Sequence, residues 1–185
     1  LSERPMFTAD PLFHAGAYYV QEASSMIIEQ VYKQHFSAEK DYKVLDLCAS
    51  PGGKTTHLSS LFSYSSLIVT NETIKNRTHA LIDNTVKWGS PGCILTYNDS
   101  KDFKKIGAFF DLVLVDAPCS GEGMFRKKPE SISRWSTDNV RLCAARQKRI
   151  IANAWETLKP GGLLLYSTCT YNQLENENII KWLNK

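Results

Sequence analysis

The sequence predicts an α/β fold, in which a doubly wound core holds a mainly parallel sheet of five strands in the order 3-2-1-4-5. Two observations support this prediction. Short apolar runs alternate along the chain with segments of helical periodicity. The strand-like runs, such as FFDLVLVD at 109–116, are almost continuously apolar, which is typical of parallel strands buried on both faces. Because crossovers between parallel strands are right-handed, helices cover both faces of such a sheet.

The individual elements follow from the apolar runs and the turn residues between them. Strands are predicted at 43–49, 66–72, 92–99, 109–116 and 162–170. Helices are predicted at 21–36, after the glycine turn at 50–53, at 74–89, at 137–162 and at 172–185. The helix that starts at 137 carries Trp155 and Leu158 on its apolar side and is expected to stop at the Pro-Gly-Gly of 160–162.

The chain is predicted to form one domain. It has 185 residues, of which 43% are hydrophobic and 22% charged, and it contains no internal repeat or low-complexity linker. Residues 1–40 are expected to form an irregular lead-in and a first helix that packs on a core at 41–185. Since the sequence does not begin with Met and stops soon after a helical segment, we expect it to be a piece of a longer protein.

Cysteine usage and hydropathy indicate a protein of the cytoplasm. The five cysteines are an odd number without a Cys-x-x-Cys pair, so neither a secreted disulfide framework nor a zinc site is expected. No apolar run approaches the roughly 20 residues needed to cross a bilayer, and the N-terminal stretch lacks the apolar core of a signal peptide. We therefore expect free thiols, no bound metal and no membrane association.

Positive charge is concentrated in one segment, residues 126–149. It holds eight basic residues against two acidic ones, although the net charge of the whole chain is only +3. Two interpretations remain open for this basic segment. It is either the solvated face of a helix or a surface that contacts phosphate.

Small and polar residues follow the ends of the predicted strands, where ligands bind in open parallel sheets. DLCASPGGKT at 46–55 combines a strand end, a glycine turn and a helix start, so the backbone at Gly52 and Gly53 can approach a ligand closely. The motif is neither G-x-G-x-x-G nor a Walker A loop, and alone it could be a structural turn. The candidate ligand-binding residues here are Cys48, Ala49, Ser50, Pro51, Gly52, Gly53 and Lys54.

Acidic residues at the next two strand ends suggest what the glycine turn binds. Glu72 ends the second predicted strand and suits the two hydroxyls of a ribose, while Asp99 ends the third and can accept from an exocyclic amine. Each has a plainer explanation, since Glu72 could complement a helix dipole and Asp99 could cap a helix. Together they outline a site for S-adenosylmethionine rather than for a dinucleotide.

Two cysteines lie at the ends of the fourth and fifth strands, Cys119 in DAPCSGEG and Cys169 in STCTY. A thiolate that attacks carbon 6 of cytosine makes carbon 5 nucleophilic enough to take a methyl group. Asp116 could supply a proton to the ring near nitrogen 3. A packing role for these thiols stays open, as it does for Cys48, Cys93 and Cys143. A thiol hydrolase is disfavoured because no histidine lies at a later strand end to act as base.

Four blocks of the sequence resemble the Sun-domain RNA cytosine-5 methyltransferases, and most closely the RsmF-type ribosomal RNA branch. They are GAYYVQEASSM (16–26), DLCASPGGKT (46–55), DAPCSGEGMFRK (116–127) and STCTYNQLENE (167–177), in the order of that family. The resemblance implies a Rossmann-like methyltransferase core, S-adenosylmethionine as cofactor and a cytosine in RNA, with ribosomal RNA expected, as substrate. A monomer is expected.

The resemblance also implies roles for individual residues. Cys169 would attack carbon 6, Cys119 would assist breakdown of the covalent intermediate, and Asp116 would contact the cytosine edge and the cofactor. Lys54 would lie near both ligands, Glu72 would bind the ribose, and Asp99 would contact the adenine side of the cofactor. Arg77 would support the cofactor rim. Three basic residues would contact RNA: Arg126, Lys127 and Lys128.

The sequence departs from the family pattern at two points. Ser50 stands where a small apolar residue is usual, and the chain ends after the segment at 173–184, whereas the family's sheet continues and RNA-binding regions flank it. RNA affinity and choice of site are therefore open for this chain. The competing functions are a non-catalytic RNA-binding module, a DNA cytosine methyltransferase and a small-molecule methyltransferase; the Thr-Cys cysteine and the basic segment disfavour the last two.

Overall fold

A computed structural model describes residues 5–184, and its five strands follow the order β3-β2-β1-β4-β5, which confirms the predicted α/β topology. The strands are β1 (Lys43–Asp46), β2 (Leu67–Asn71), β3 (Cys93–Thr96), β4 (Phe110–Asp116) and β5 (Leu158–Ser167). The pairs β1–β2, β2–β3 and β4–β5 are all parallel.

Helices alternate with these strands. They are α1 (Pro11–His14), α2 (Ile27–His35), α3 (Gly53–Leu61), α4 (Lys75–Trp88), α5 (Thr137–Trp155) and α6 (Glu177–Leu183). Local chemistry sets several of the ends. The Ser136 side chain accepts from the Asn139 backbone N–H at the start of α5, and Gly89 ends α4 with a left-handed φ of 72°.

The chain divides into two compact units, and the first ends at Asn98. Its core is formed by aliphatic side chains without exposed surface, among them Val44, Leu45, Leu58 and Leu81. An aromatic contact packs α2 against this core, since the rings of Tyr32 on α2 and Phe62 lie 4.9 Å apart, edge to face. The first helix thus packs within this unit. The proposed boundary at residue 40 stays a prediction, and residues 1–4 of the lead-in and residue 185 of the core lie outside the described residues.

The second unit begins at Asp99 and has its own core. Val113, Leu114 and Val115 of β4 are fully buried, as the continuous apolar run predicts. Ile151 of α5 and Ile179 of α6 are also fully buried, so both helices place an apolar face in the core.

Three predicted helix bounds are wrong. The helix predicted from residue 21 begins as α2 at Ile27, after a 3-10 helix at Ala23–Met26. The long helix ends at Trp155, which is 55% exposed, and Leu158 is already the first residue of β5. The Thr157 carbonyl accepts from the backbone N–H groups of Phe109 and Phe110 at 2.9 and 3.0 Å, which draws the following residues into the sheet. The last helix begins at Glu177 rather than at 172, because hydrogen bonds of the Asn172 side chain hold the preceding residues in a loop.

Within residues 5–184, no helix has both the length and the apolar character that a membrane span requires. The same residues contain no group of three or more His, Cys, Asp or Glu side chains placed to hold a metal ion.

Candidate active site

The glycine turn joins β1 to α3 and is held by its own backbone. Gly52 has a φ of 108°, a left-handed conformation that side chains strain to adopt, and its N–H donates to the Ala49 carbonyl at 2.7 Å. The Ala49 N–H in turn donates to the carbonyl of Asn71 at the end of β2, at 2.9 Å. Behind the turn, buried Asp46 accepts from the Thr55 hydroxyl at 2.7 Å. The peptide bond between Ser50 and Pro51 is cis.

Gly53 lies against the lead-in segment. A Cβ atom at Gly53 would stand 2.9 Å from Cε1 of Tyr19, and the Gln21 amide donates to the Gly53 carbonyl at 2.7 Å. A protein contact therefore favours glycine at position 53, and close approach of a ligand, the reason expected from the sequence, stays a prediction. Lys54 follows in the first turn of α3.

Glu72 and Arg77 connect the end of β2 to the glycine turn. Arg77 Nη2 donates to the Ser50 carbonyl at 2.8 Å, and the Ser50 hydroxyl donates back to the Arg77 carbonyl at 2.8 Å. Glu72 Oε1 accepts from the Ile74 N–H at 2.8 Å, and Arg77 Nε lies 3.5 Å from Glu72 Oε2. Serine at position 50 thus has a hydrogen-bonding role that an apolar residue would not fill.

Asp99 caps the short 3-10 helix Ser100–Ile106 by accepting from the Lys101 N–H at 3.0 Å. This is the plainer of its two expected roles, and the adenine contact stays a prediction. Fully buried Asn71 lies at a predicted strand end, but no role in the site was predicted for it. Its amide donates to the carbonyls of Leu47 and Asn98, both at 3.1 Å, so it fixes the chain after β1 and after β3.

In the second unit, the structure brings Cys119 and Cys169 together. Their sulfur atoms lie 3.1 Å apart, and the Cys169 N–H donates to the Cys119 sulfur at 3.3 Å. A backbone hydrogen bond of 2.8 Å from Gly123 to the Cys169 carbonyl, and a 3.0 Å contact between the hydroxyls of Ser120 and Thr170, join the two loops around the sulfur pair.

The two thiols differ in environment. Cys169 is exposed, while Cys119 is half-buried. The hydrogen bond with Cys169, and after it burial, raises the pKa of Cys119 well above its ordinary value. Cys119 therefore stays protonated at neutral pH, and its S–H can donate to the Cys169 sulfur.

Glu175 binds the two cysteine loops to each other, and it was not among the sequence candidates. This fully buried carboxylate accepts from the Ser120 N–H at 3.0 Å, from the Ser120 hydroxyl, from the Gln147 amide at 2.8 Å and from the Asn172 amide at 2.8 Å. Ser120 follows Cys119 directly, and Asn172 lies three residues after Cys169. The sequence shows an acid at 175, but two of its three partners, Ser120 and Gln147, are distant in sequence.

Asp116 ends β4, where its Oδ1 accepts from the Ser167 hydroxyl at 2.7 Å in the paired strand β5. A second acid, Glu122, accepts from the Tyr171 N–H at 2.9 Å and from the Trp135 indole at 3.1 Å. Burial raises the pKa of Glu122, but the hydrogen bonds from Tyr171 and its neighbours outweigh that effect and leave the pKa below its ordinary value. Glu122 thus fixes the chain after Cys169 as an ionised carboxylate.

The expected RNA-contacting residues Arg126, Lys127 and Lys128 are exposed and lie between two short 3-10 helices. Their backbone is ordered by hydrogen bonds from the N–H groups of Lys127 and Lys128 to the Met124 carbonyl, at 3.0 and 2.8 Å. Their contact with phosphate stays a prediction.

Comparison with known proteins identifies the family. A family model described as 16S rRNA methyltransferase RsmB/F matches residues 34–185. The chain belongs to this family. RsmB/F proteins are methyltransferases that use S-adenosylmethionine, and membership confirms the resemblance seen in the four sequence blocks.

Individual relatives agree with this assignment. A protein from Pectobacterium atrosepticum, described as ribosomal RNA small subunit methyltransferase F, is 39% identical over 170 residues, which are 91% of this chain and 35% of the relative. A protein of the same description from Shewanella oneidensis is 41% identical over 172 residues, covering 92% of this chain and 36% of the relative. The chain spans about a third of the length of these RsmB/F relatives.

Solved structures confirm the Rossmann-like methyltransferase core. NSun6 from Pyrococcus horikoshii, solved with SFG, superposes with a TM-score of 0.85 at 30% identity, over 98% of this chain and 45% of that one. A methyltransferase homolog protein from the same organism gives a TM-score of 0.81 at 32% identity, over 98% of this chain and 56% of that one.

Glu72 of this RsmB/F chain has the property that a ribose-binding acid needs. Its Oε2 atom is buried and accepts no hydrogen bond from any residue between 5 and 184, although Arg77 forms an ion pair with it. A buried carboxylate oxygen without a donor is unusual in a folded protein. A ribose hydroxyl would satisfy this oxygen once the carboxylate turns toward it, so the residues present fit S-adenosylmethionine.

Proposed function

We propose that this protein transfers a methyl group from S-adenosylmethionine to carbon 5 of a cytosine in ribosomal RNA, through a covalent adduct between Cys169 and carbon 6. One observation carries the proposal beyond family membership. Two thiols lie 3.1 Å apart, one exposed and one held protonated, as a reaction that needs one attacking and one assisting sulfur requires.

Cys169 is the attacking sulfur. Exposure lets it reach a substrate base, and the Cys119 sulfur, 3.1 Å away, can donate its proton to the Cys169 sulfur. Bond formation between the Cys169 sulfur and carbon 6 moves electron density to carbon 5. S-adenosylmethionine, when bound, would supply an electrophilic methyl group and keep the electrons of its broken carbon–sulfur bond as a thioether. A base then takes the proton on carbon 5, carbon 5 and carbon 6 regain their double bond, and the Cys169 sulfur leaves with the electrons of its bond to carbon 6.

Cys119 assists that departure. Its raised pKa keeps a proton on the sulfur at neutral pH, within reach of the Cys169 sulfur as the carbon–sulfur bond breaks. A protonated group beside a leaving thiolate stabilises the developing negative charge. Loss of Cys119 is therefore expected to slow breakdown of the adduct more than its formation.

The other candidate residues bind and orient. Asp116, whose carboxylate is held by Ser167, is proposed to contact the cytosine edge near nitrogen 3 and the cofactor, with Lys54 beside both ligands. We propose that the cofactor is bound by residues 48–54, Glu72, Arg77 and Asp99. The hydrogen bonds between Ser50 and Arg77 and the ion pair between Arg77 and Glu72 would hold part of this set in place.

The basic residues Arg126, Lys127 and Lys128 are proposed to contact RNA phosphates, which attract exposed cations without regard to sequence. Small-subunit ribosomal RNA is the substrate that the family favours. We further propose that the protein acts in the cytoplasm as a monomer.

The test uses full-length protein, ribosomal RNA and S-adenosylmethionine with a labelled methyl group. We expect the wild-type protein to label the RNA, Cys169→Ser to abolish labelling, and Cys119→Ala to accumulate a protein–RNA adduct that survives denaturing electrophoresis. Cys143→Ser, a buried thiol on α5 without a proposed role, is the matched control and should label RNA normally.

Two results would contradict this assignment. An adduct that forms with Cys169→Ser would make Cys119 the nucleophile. RNA binding by the wild-type protein without any methyl transfer would favour a non-catalytic RNA-binding module.

A further inference from the structure

The sulfur pair has a geometry that suits a second chemistry. Sulfur atoms 3.1 Å apart need to approach by only about 1 Å to reach the bond length of a disulfide, near 2.05 Å. The hydrogen bonds between Gly123 and Cys169, and between Ser120 and Thr170, keep the two loops adjacent, so both sulfurs are presented to each other in the folded protein.

The two sulfurs are also unequally accessible. Cys169 is exposed and therefore the more accessible of the two to a dissolved oxidant, whereas Cys119 is half-buried. An accessible thiol next to a shielded one is the arrangement in which the first is oxidised and the second resolves it.

We propose that Cys119 and Cys169 form a reversible disulfide when the protein meets a peroxide, which makes this pair an oxidant-sensitive modification site. The bond would remove the proposed nucleophile and its partner together, so methyl transfer would stop until a thiol reductant restores both. This loss of activity rests on the proposed function, whereas formation of the bond does not.

The reaction takes two steps with hydrogen peroxide as the oxidant. The Cys169 sulfur attacks one peroxide oxygen and the O–O bond breaks; after proton transfer the products are a Cys169 sulfenic acid and water. The Cys119 sulfur then attacks the Cys169 sulfur, the S–O bond breaks, and the departing hydroxide takes the Cys119 proton to leave as a second water. The two sulfurs are oxidised by two electrons in total and the peroxide is reduced by two.

The test is made on the reduced protein, treated with hydrogen peroxide and analysed by intact mass, thiol titration and peptide mapping. We expect the loss of two hydrogen atoms, the loss of two of the five thiols, and one cross-linked peptide pair that contains Cys119 and Cys169. Cys119→Ser should instead accumulate a sulfenic acid at Cys169, captured by a dimedone-type probe. Cys143→Ser should cross-link as the wild type does.

Retention of all five thiols under peroxide, or a cross-link between other cysteines, would overturn the proposal. Activity separates this failure from failure of the proposed function. If the reduced protein methylates RNA, loses that activity in proportion to the cross-linked fraction and regains it with dithiothreitol, the modification site and its consequence both stand. If the cross-link forms but the reduced protein never transfers a methyl group, the proposed function fails and the modification site stands.

Discussion

Replacement of Glu175 should loosen the junction of the two cysteine loops, because its carboxylate accepts hydrogen bonds from residues of both. Glu175→Ala removes all four hydrogen bonds that the carboxylate accepts and leaves a cavity. Hydrogen bonds to a charged group contribute roughly 1.5–3 kcal/mol each, but losses within one network are not additive. We therefore expect the free energy of unfolding to fall by about 4 kcal/mol, which is large for one substitution.

Glu175→Gln should have a smaller effect, and the geometry indicates why. Its carbonyl can keep the contacts with the Ser120 N–H and the Gln147 amide, and its NH₂ group can donate to the Ser120 hydroxyl, which is able to accept. Only the Asn172 amide then meets a donor instead of an acceptor. The expected loss in the free energy of unfolding is about 1–2 kcal/mol.

Two assays test this reasoning, and Glu177→Gln is the matched control because Glu177 is exposed and two residues away. In urea unfolding, wild type and Glu177→Gln should have the same, highest free energy of unfolding. Glu175→Gln should be less stable, and Glu175→Ala the least stable. Under native conditions, Glu175→Gln should lower the rate of methyl transfer at saturating cofactor about tenfold and leave cofactor affinity unchanged, because about 1 Å of misplacement can cost that much. Stability and rate equal to the wild type in both Glu175 variants would refute the proposed role of Glu175.

Three further outcomes are expected. The pKa of the Glu122 carboxyl is lowered in the folded protein, so its stabilising effect is full above the ordinary pKa of 4.5 and disappears as the pH falls through the folded pKa. The difference in the free energy of unfolding between wild type and Glu122→Gln should therefore shrink below about pH 4.5. Unfolding measured over a series of acidic pH values tests this. Gly53→Ala should lower the free energy of unfolding by about 1–3 kcal/mol, since the added methyl group collides with Tyr19, and an unchanged melting temperature would show that the Tyr19 ring can move aside. Arg126→Glu combined with Lys128→Glu should weaken RNA binding and lower its salt-dependence exponent by about two without affecting cofactor binding; an unchanged exponent would make these charges a solvated surface.

The strands were predictable because burial on both faces leaves a direct mark on the sequence. FDLVLVD at 110–116 is apolar where it is buried, and the structure places β4 at these residues. The proximity of Cys119 and Cys169 follows from the same reasoning, since neighbouring parallel strands end at the same edge of a sheet. Local pattern and one rule of topology were therefore sufficient for these features.

The misplaced end of α5 shows where local pattern fails. Lys159-Pro160-Gly161-Gly162 has the composition of a helix stop, yet these residues lie in β5. Pairing on both sides of them decides their place: Phe110 pairs with Leu158 and Leu112 with Leu163, and the register shifts in between to accommodate them. Long-range pairing overrides local preference here, and a sequence window around residue 160 contains no sign of it.

The roles proposed for the two cysteines follow from the resemblance of their motifs, but the residues of either motif alone do not explain why the two thiols would differ. Both follow a strand end, and both are free thiols of the same intrinsic acidity. What separates them is that Cys119 is shielded and hydrogen-bonded to its partner while Cys169 is exposed. Glu175 accepts from the Ser120 N–H, 55 residues away in sequence, and so helps to hold the Cys119 loop against the Cys169 loop. The proposed division of labour between two chemically identical side chains would thus be a property of the packing around them, to which the buried Glu175 contributes.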